Sequence, residues 1–165
     1  MGVELLALGD AVSLRDAGYR QRIPLLEGFF SASELPEIVH HGFAIIVHVR
    51  EQLQMLRTLR SDKKIDVFLK FNTGMNRLGF PAIDAGRVIE ELKGLPCVGE
   101  VVLTTHFSDA EGVSGVDWQM REFEHRVARP GYARPLANSA ALPPFPEPPG
   151  GWVPPGPLAC VTSPP

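Results

Sequence analysis

The amino-acid sequence predicts an α/β fold built on a parallel sheet. About six short apolar runs alternate with about five segments of helical spacing, and this order is typical of βαβ units. Most of the runs are apolar at nearly every position, as is expected of strands that are buried on both faces. Six strands do not close a complete eight-stranded barrel, so the sheet is either open or a barrel that lacks pieces at its ends.

The strands are predicted from the apolar runs themselves. Pro24 stands near the start of the second run, where a proline is tolerated because few ladder hydrogen bonds depend on it. Lys70 lies inside the run Ile65–Phe71, which is apolar apart from this lysine and Asp66 near its start. The predicted strands, in chain order, are Val3–Leu8, Ile23–Phe30, Gly42–Val49, Ile65–Phe71, Val98–Thr105 and Pro135–Ser139.

The helices are predicted from apolar side chains three and four residues apart. Gly18 follows the first helix, where a glycine is the usual C-terminal cap. Ser31 and Glu34 have the spacing of a capping box, so a helix begins at Ser31. The other predicted helices are Asp10–Ala17, Glu51–Arg60, Asp84–Leu92 and Val116–Val127.

Length, charge and composition exclude several classes of protein. The 165 residues suit one domain but fall short of the roughly 250 residues of a complete α/β barrel. A formal net charge of −3 argues against a nucleic-acid partner, which usually requires a basic face. The sequence has neither an apolar stretch of about 18 residues nor the basic start of a secretory signal. We therefore expect a cytoplasmic protein with no membrane span, in which Cys97 and Cys160 are reduced thiols.

Proline divides the chain into two parts. Ten of the 16 prolines lie between Pro143 and Pro165, and so many prolines exclude a helix or a central strand there. We expect residues 1–142 to form the α/β domain and residues 143–165 to form a Pro/Gly-rich tail of doubtful order.

Ligands of α/β folds bind at the carboxyl ends of the strands, and the first polar cluster of interest lies at one of these ends. It is the run Leu69–Phe80, which reads LKFNTGMNRLGF. A lysine within a buried strand, such as Lys70, is costly unless it is paired or chemically modified. Arg77, a fixed cation with a planar donor fork, lies between Gly74 and Gly79. A solvated loop with extended basic side chains explains the same pattern equally well.

Two further clusters follow the later strands. In Thr105–Glu111, His106 stands at a strand end, where a packed, hydrogen-bonded histidine is more common than a catalytic one. The spacing of the acids that follow it fits no standard zinc set, so no metal site is expected. In Leu136–Leu142, Asn138 and Ser139 precede small residues, which let a phosphate approach backbone N–H groups. Ser139 is also an ordinary helix N-cap residue.

In this order and at this spacing, the three clusters resemble the alanine racemase family. LKFNTGMNRLGF is similar to that family's K-x-[DN]-[TS]-G-M-x-R-L-G signature, and THFSDAE and LANSAAL are similar to its later barrel segments. PLLEGFF and LGDAVSLRDAG also resemble the family, and the resemblance covers nearly all of residues 1–142. It implies a partial (β/α)8 barrel with about strands two to seven and a degenerate eighth.

The resemblance implies a homodimeric, pyridoxal-phosphate-dependent isomerase that interconverts L- and D-alanine and supplies D-alanine for peptidoglycan. In the family a lysine binds the cofactor covalently, and this lysine and a tyrosine of the partner's C-terminal domain move the α-proton. Arg77 would donate to the phenolic oxygen of the cofactor, and Lys70 would be the lysine that is carbamylated in some members and orients that arginine. The other residues implied to bind the cofactor are His106 beneath the ring and Asn138, Ser139 and Gly156 near the phosphate.

The sequence departs from the family pattern at both ends. No lysine here matches the family's V-x-K-A-N-A-Y-G segment, so no catalytic residue is assigned, and the tyrosine-bearing domain has no counterpart. The tail resembles W-V-R-P-G-I-x-L-Y-G-x-S-P, but Pro154 replaces its arginine and Cys160 its tyrosine. Pro157 stands where a backbone N–H is needed and has none to donate. Asn72 in place of the commoner aspartate is a mild change.

Three interpretations remain open at this level. The chain is a fragment of an alanine racemase, or of a related amino-acid racemase of broader specificity, and is inactive alone. Alternatively, it is a non-catalytic relative that binds pyridoxal phosphate, another phosphate ester or a protein. In the third interpretation it is an open barrel with unpaired strand edges, which favour self-association.

Overall fold

A computed structural model of the chain describes residues 7–108 and 117–132. This part contains five strands and five α-helices. The strands are β1 (Pro24–Leu25), β2 (Ala44–Val47), β3 (Ile65–Asn72), β4 (Phe80–Pro81) and β5 (Val98–Thr104). The helices are α1 (Leu8–Asp16), α2 (Leu35–His41), α3 (Arg50–Thr58), α4 (Ala85–Lys93) and α5 (Asp117–Arg126). Short 3-10 helices at Ala32–Glu34 and Ala82–Asp84 precede α2 and α4.

All pairings of the described strands are parallel, as the alternation of strands and helices predicts. β3 is central, with β2 on one side and β5 on the other, and β1 pairs with the far side of β2. The short β4 adds to the end of β3, where Phe80 lies opposite Phe71. Within the described ranges the sheet is open, because β1 pairs only with β2 and β5 only with β3.

The two faces of β3 have different surroundings, because successive side chains of a strand point to opposite faces. One face belongs to the large apolar core shared with the helices and contributes Ile65, Val67, Leu69 and Phe71. On the other face, Phe68 belongs to a second apolar cluster with Ala44, Ile46 and Val102. Ile46 and Val102 are the register partners of Phe68, so these three side chains form one layer across the sheet.

The next layer toward the carboxyl ends is polar. Lys70 lies two residues beyond Phe68 and is the register partner of Thr104. His48 lies two residues beyond Ile46, just past the end of β2. Because alternate residues of a strand share a face, His48, Lys70 and Thr104 follow the apolar layer on the same side of the sheet. At the opposite, amino end, Arg22 pairs with Asp66 and Glu100.

Most predicted elements are confirmed, with boundaries shifted by one or two residues. The capping box is formed: the Ser31 hydroxyl accepts from the backbone N–H of Ser33, and the Glu34 carboxylate accepts from the N–H of Ser31. The prediction that Gly42 begins a strand was wrong. Gly42 instead ends α2 in the left-handed conformation, with φ 66°, and β2 begins at Ala44.

The strand predicted at Ile23–Phe30 was largely wrong. Only Pro24 and Leu25 pair with β2, and the chain then turns. Gly28 has a φ of 75°, and a Cβ there would lie 2.2 Å from the carbonyl oxygen of Ile46. The chain therefore leaves the sheet early because its backbone crosses over the end of β2, which only glycine permits.

Other differences are smaller. Leu8, predicted to end a strand, begins α1, and β4 was not predicted. The rest of the predicted first strand before Ala7, the start of the last helix at Val116, and the strand Pro135–Ser139 lie outside the described residues. The predicted boundary between the α/β domain, residues 1–142, and the tail, residues 143–165, also lies outside the described residues.

A buried glutamine of α3 holds the carboxyl ends of β1 and β2 together. Gln52 is 2% exposed. Its side-chain oxygen accepts from the backbone N–H of His48 at 2.9 Å. Its side-chain nitrogen donates to the carbonyl oxygens of Glu27 and Phe29, both at 3.2 Å. One side chain thus satisfies three backbone groups, buried or part-buried, that the sheet leaves unpaired.

A second glutamine, on α5, does the same for β3 and β5. Gln119 is fully buried. Its oxygen accepts from both the backbone N–H and the hydroxyl of Ser108, at 2.8 and 3.0 Å. Its nitrogen donates to the carbonyl oxygen of His106 at 3.1 Å and to the Thr73 hydroxyl at 3.4 Å.

The hydrogen-bonded chain continues from Thr73 back to β3. The Thr105 hydroxyl donates to the carbonyl oxygen of Phe71 at 2.9 Å. The Thr105 hydroxyl has one proton, and this bond uses it. In the 2.8 Å hydrogen bond between the two threonine hydroxyls, Thr73 is therefore the donor and Thr105 the acceptor. The direction of donation is therefore fixed from Gln119 through Thr73 and Thr105 to Phe71.

We expect Gln119→Leu to lower the free energy of unfolding by about 1–3 kcal/mol, because it removes the partner of the part-buried Ser108 N–H and His106 carbonyl groups. Gln54→Leu, on the exposed face of α3, is the matched control and is expected to change stability by less than about 0.5 kcal/mol. Urea unfolding followed by circular dichroism measures both. Equal stability of the two variants would contradict the role of Gln119.

Candidate functional site

Basic side chains converge at the carboxyl ends of the central strands. Lys70 lies near the end of β3, Arg77 in the loop before β4, and His106 after β5. His48 follows β2. Lys70 acts electrostatically on both histidines, and Arg77 acts on His106. We refer to His48, Lys70, Arg77 and His106 as the carboxyl-end cluster.

The structure therefore brings together three of the predicted site residues, Lys70, Arg77 and His106. Lys70 is partly buried and Arg77 is exposed. The other three, Asn138, Ser139 and Gly156, lie outside the described residues. Their proximity to the carboxyl-end cluster stays a prediction.

The loop that carries Arg77 is shaped by Asn72. The side-chain oxygen of Asn72 accepts from the backbone N–H groups of Gly74 and Asn76, at 2.9 and 3.0 Å. Its side-chain nitrogen donates to the side-chain oxygen of Asn76 at 2.9 Å. Asn76 has a φ of 55°, a conformation that asparagine tolerates better than most residues. The amide at position 72 thus organises the turn and supplies a donor that an aspartate lacks.

Two glycines fix the ends of this loop. Gly74 has a φ of 141°, and a Cβ there would lie 1.9 Å from the indole ring of Trp118 on α5. Gly79 has a φ of 124°, and a Cβ there would lie 2.7 Å from the backbone of Phe71 and Asn72. The loop is therefore pressed against α5 at one end and β3 at the other, which positions Arg77 between them.

His106 is held in its neutral form. Burial, followed by the charges of Lys70 and Arg77, lowers the pKa of His106 from its ordinary 6.5 to about 4. Its backbone is fixed through the carbonyl that accepts from Gln119. At neutral pH this side chain is therefore an uncharged imidazole beside two cations.

His48 is a member of the cluster that the sequence analysis did not identify as a site residue. A ring nitrogen, Nε2, lies 3.3 Å from the carbonyl oxygen of Glu27. The other ring nitrogen, Nδ1, is buried and has no hydrogen-bond partner. Burial lowers the pKa of His48, with a smaller contribution from Lys70. Its position two residues after buried Ile46 was the signal that could have revealed it.

The chemistry of the cluster fits an anionic group. Only burial and two cations act on the pKa of His106, and no acid of the described residues contributes there. Among the described residues, no group of three His, Cys, Asp or Glu side chains could hold a metal ion. Pyridoxal phosphate, whose phenolic oxygen and phosphate carry negative charge, matches this environment.

A separate cavity of about 530 Å³ lies on the α5 side of the Arg77 loop. Its walls include Asn72, Gly74, Asn76, Trp118 and Arg126 but no member of the carboxyl-end cluster. The helices of the described ranges are all too short or too polar to cross a membrane.

Comparison with known proteins agrees with the sequence resemblance. The family model described as "Alanine racemase, N-terminal domain" matches residues 3–164. An alanine racemase of Nitrosospira multiformis is 44% identical over 99% of this chain and 46% of its own length. One of Cupriavidus necator is 42% identical over 94% of this chain and 42% of its own length. The chain thus spans less than half the length of the curated relatives it matches.

Solved structures show the same fold. The biosynthetic alanine racemase of Pseudomonas aeruginosa superposes with a TM-score of 0.83 at 30% identity, over 94% of this chain and 44% of that protein. The alanine racemase of Acinetobacter baumannii gives 0.77 at 27% identity, over 93% of this chain and 46% of that protein. The expected partial α/β barrel is confirmed by these matches. The chain belongs to the alanine racemase family, and it is the N-terminal barrel domain of that family that it matches.

Proposed function

We propose that the chain is the cofactor-binding part of a pyridoxal-phosphate-dependent alanine racemase, which interconverts L-alanine and D-alanine in the cytoplasm. The carboxyl-end cluster carries the proposal, because it places Lys70, Arg77 and a neutral His106 at the strand ends where barrels of this kind bind ligands. D-alanine for peptidoglycan is the proposed product, and a homodimer the proposed assembly.

The cofactor, when bound, supplies an electron sink for the carbanion formed at the substrate Cα. Arg77 is proposed to donate to its phenolic oxygen, with the guanidinium held by the Asn72 turn. A neutral His106 is proposed to support the ring without adding a positive charge beside Arg77. Asn138, Ser139 and Gly156 are proposed to bind the phosphate.

Lys70 is proposed to carry a carbamate. As an ammonium it would be a partly buried cation in the same cluster as the Arg77 guanidinium, and these two like charges repel each other. Carbamylation replaces that positive charge with a carboxylate, which attracts the Arg77 guanidinium and orients it. The modification therefore turns repulsion within the cluster into attraction.

We expect this chain with added pyridoxal phosphate to bind the cofactor without racemising alanine. None of its lysines matches the family's cofactor-lysine segment, and the chain spans less than half the length of its curated relatives. Chiral chromatography of alanine after incubation measures turnover, and borohydride reduction followed by mass spectrometry tests for a covalent cofactor. Robust turnover would contradict the first expectation, and a trapped lysine adduct would show a covalent site.

We expect Arg77→Ala to weaken the binding of pyridoxal phosphate by about 10- to 100-fold, because a hydrogen bond to a charged group contributes about 1.5–3 kcal/mol. Arg87→Ala is the matched control, since Arg87 is an exposed residue of α4 that pairs with Asp84. An absorbance titration with the cofactor measures both. Unchanged affinity in Arg77→Ala would overturn the proposed contact, and no binding by the unaltered chain would overturn the cofactor site.

We expect His106 to make the folded chain less stable in mild acid. Between pH 6.5 and about 4 the unfolded chain binds a proton at this residue and the folded chain does not, so the free energy of unfolding falls as the pH falls. His106→Asn removes this contribution and should lose less stability over the same interval. Urea unfolding at several pH values measures the difference, and parallel pH profiles would argue against a depressed pKa.

A further inference from the structure

His48 and Lys70 occupy neighbouring positions in the polar layer of the sheet. Val47 and Leu69 are register partners in β2 and β3, so the next residues, His48 and Lys70, follow side by side. Both lie beyond the apolar pair Ile46 and Phe68 on the same face. The electrostatic effect of Lys70 on His48 agrees with this proximity.

The hydrogen bond to Glu27 determines which nitrogen of His48 carries a proton. A carbonyl oxygen only accepts hydrogen bonds, so Nε2, at 3.3 Å from the Glu27 carbonyl, is the protonated nitrogen of the neutral ring. Nδ1 is then left with a lone pair, buried and without a partner. A buried acceptor of this kind is costly unless a donor or a proton reaches it.

Hydrogen bonds through Gln52 tie the backbone around His48 to the loop that the ring contacts. Gln52 accepts from the His48 N–H, and the same amide donates to the Glu27 carbonyl that the ring contacts. Gly28 packs directly against this amide, since a Cβ on Gly28 would lie 2.6 Å from the Gln52 side-chain nitrogen. Strand end, loop and imidazole are therefore held as one unit.

We propose that His48 is a positioning residue for Lys70: its Nδ1 takes up the proton released when Lys70 is carbamylated, and the resulting imidazolium holds the carbamate in place. This inference rests on the carbamylation of Lys70 proposed above.

The reaction balances with dissolved carbon dioxide as the co-reactant. The neutral Lys70 amine attacks the carbon of CO2, an N–C bond forms, and one C=O electron pair moves to oxygen. The nitrogen then loses a proton to Nδ1 of His48. Two neutral groups and CO2 thus give a carbamate anion beside an imidazolium cation, with no oxidation or reduction.

The charges around His48 favour transfer of the proton from the Lys70 nitrogen to Nδ1 once the carbamate forms. Glu27, in the loop after β1, favours the protonated ring, and the Lys70 ammonium opposes it. Carbamylation removes the opposing charge and adds an attractive one, so protonation of His48 and modification of Lys70 favour each other. His106 is a poorer proton acceptor, because burial and the charges of both Lys70 and Arg77 lower its pKa to about 4.

The test uses the whole chain with isotope-enriched bicarbonate, and carbon NMR measures the carbamate on Lys70. His48→Phe is expected to lower the carbamate occupancy at neutral pH about tenfold, since a nearby opposite charge shifts such equilibria by about one unit or more. His48→Gln keeps a hydrogen-bond donor for the Glu27 carbonyl, so it preserves this contact of the fold. It should also reduce the carbamate occupancy, because glutamine cannot take up a proton. His125→Gln, at an exposed position of α5, is the matched control.

A second readout separates this role from a merely structural one. Bicarbonate is expected to raise the pKa of His48, measured by proton NMR of the imidazole, and Lys70→Met should abolish that response. Equal carbamate occupancy in the unaltered chain and in both His48 variants would overturn the role of His48 but not the carbamylation of Lys70. The same conclusion would follow if bicarbonate changed the pKa of His106 alone. The lack of any carbamate in the unaltered chain would overturn both, whereas cofactor binding is measured independently by the absorbance titration.

Discussion

The parallel pairing of β3 with β2 and β5 is the interaction on which the rest of the structure depends. It determines the direction of every side chain on the central strand, so one face packs on the helices and the other forms layers across the sheet. A shift of the register by one residue would move Lys70 into the apolar core and Leu69 into the polar layer. The contacts of Arg22, just before β1, with Asp66 of β3 and Glu100 of β5 join the amino ends of these segments and favour this register.

Parallel strands also create a problem at their ends, because no tight hairpin satisfies the last backbone groups. The two glutamines solve it in the same way. Each projects from the helix that follows a strand, reaches back over the end of that strand, and binds the end of its neighbour. Amide side chains suit this task because they donate and accept at once and carry no charge to bury. The rigidity of the carboxyl-end cluster is therefore a property of α3 and α5 as much as of the strands.

The alternation of strands and helices could be predicted because both patterns are local. The convergence of Lys70, Arg77 and His106 could also be predicted, since carboxyl ends of parallel strands meet at one edge. The early end of β1 could not, because it results from the crossing of Gly28 over Ile46, a contact between segments distant in sequence. Gln52 and Gln119 were missed for a related reason: a polar residue on a helix ordinarily indicates a solvated face, and only the assembled sheet shows these two buried. His48 was missed because its proposed role depends on its proximity to Lys70 of the next strand, which the sequence alone does not show.

The close contact between Gly74 and Trp118 restricts the order in which these positions can change during evolution. A side chain at position 74 is opposed twice, by its backbone conformation and by an indole ring that occupies the space of a Cβ. Position 118 is opposed by neither constraint and can become smaller while the glycine stays. A smaller residue at position 118 therefore leaves the loop unstrained, whereas a side chain at position 74 requires the indole ring to move and the backbone to keep an unfavourable φ. The tryptophan thus constrains which substitutions the loop that carries Arg77 can accept.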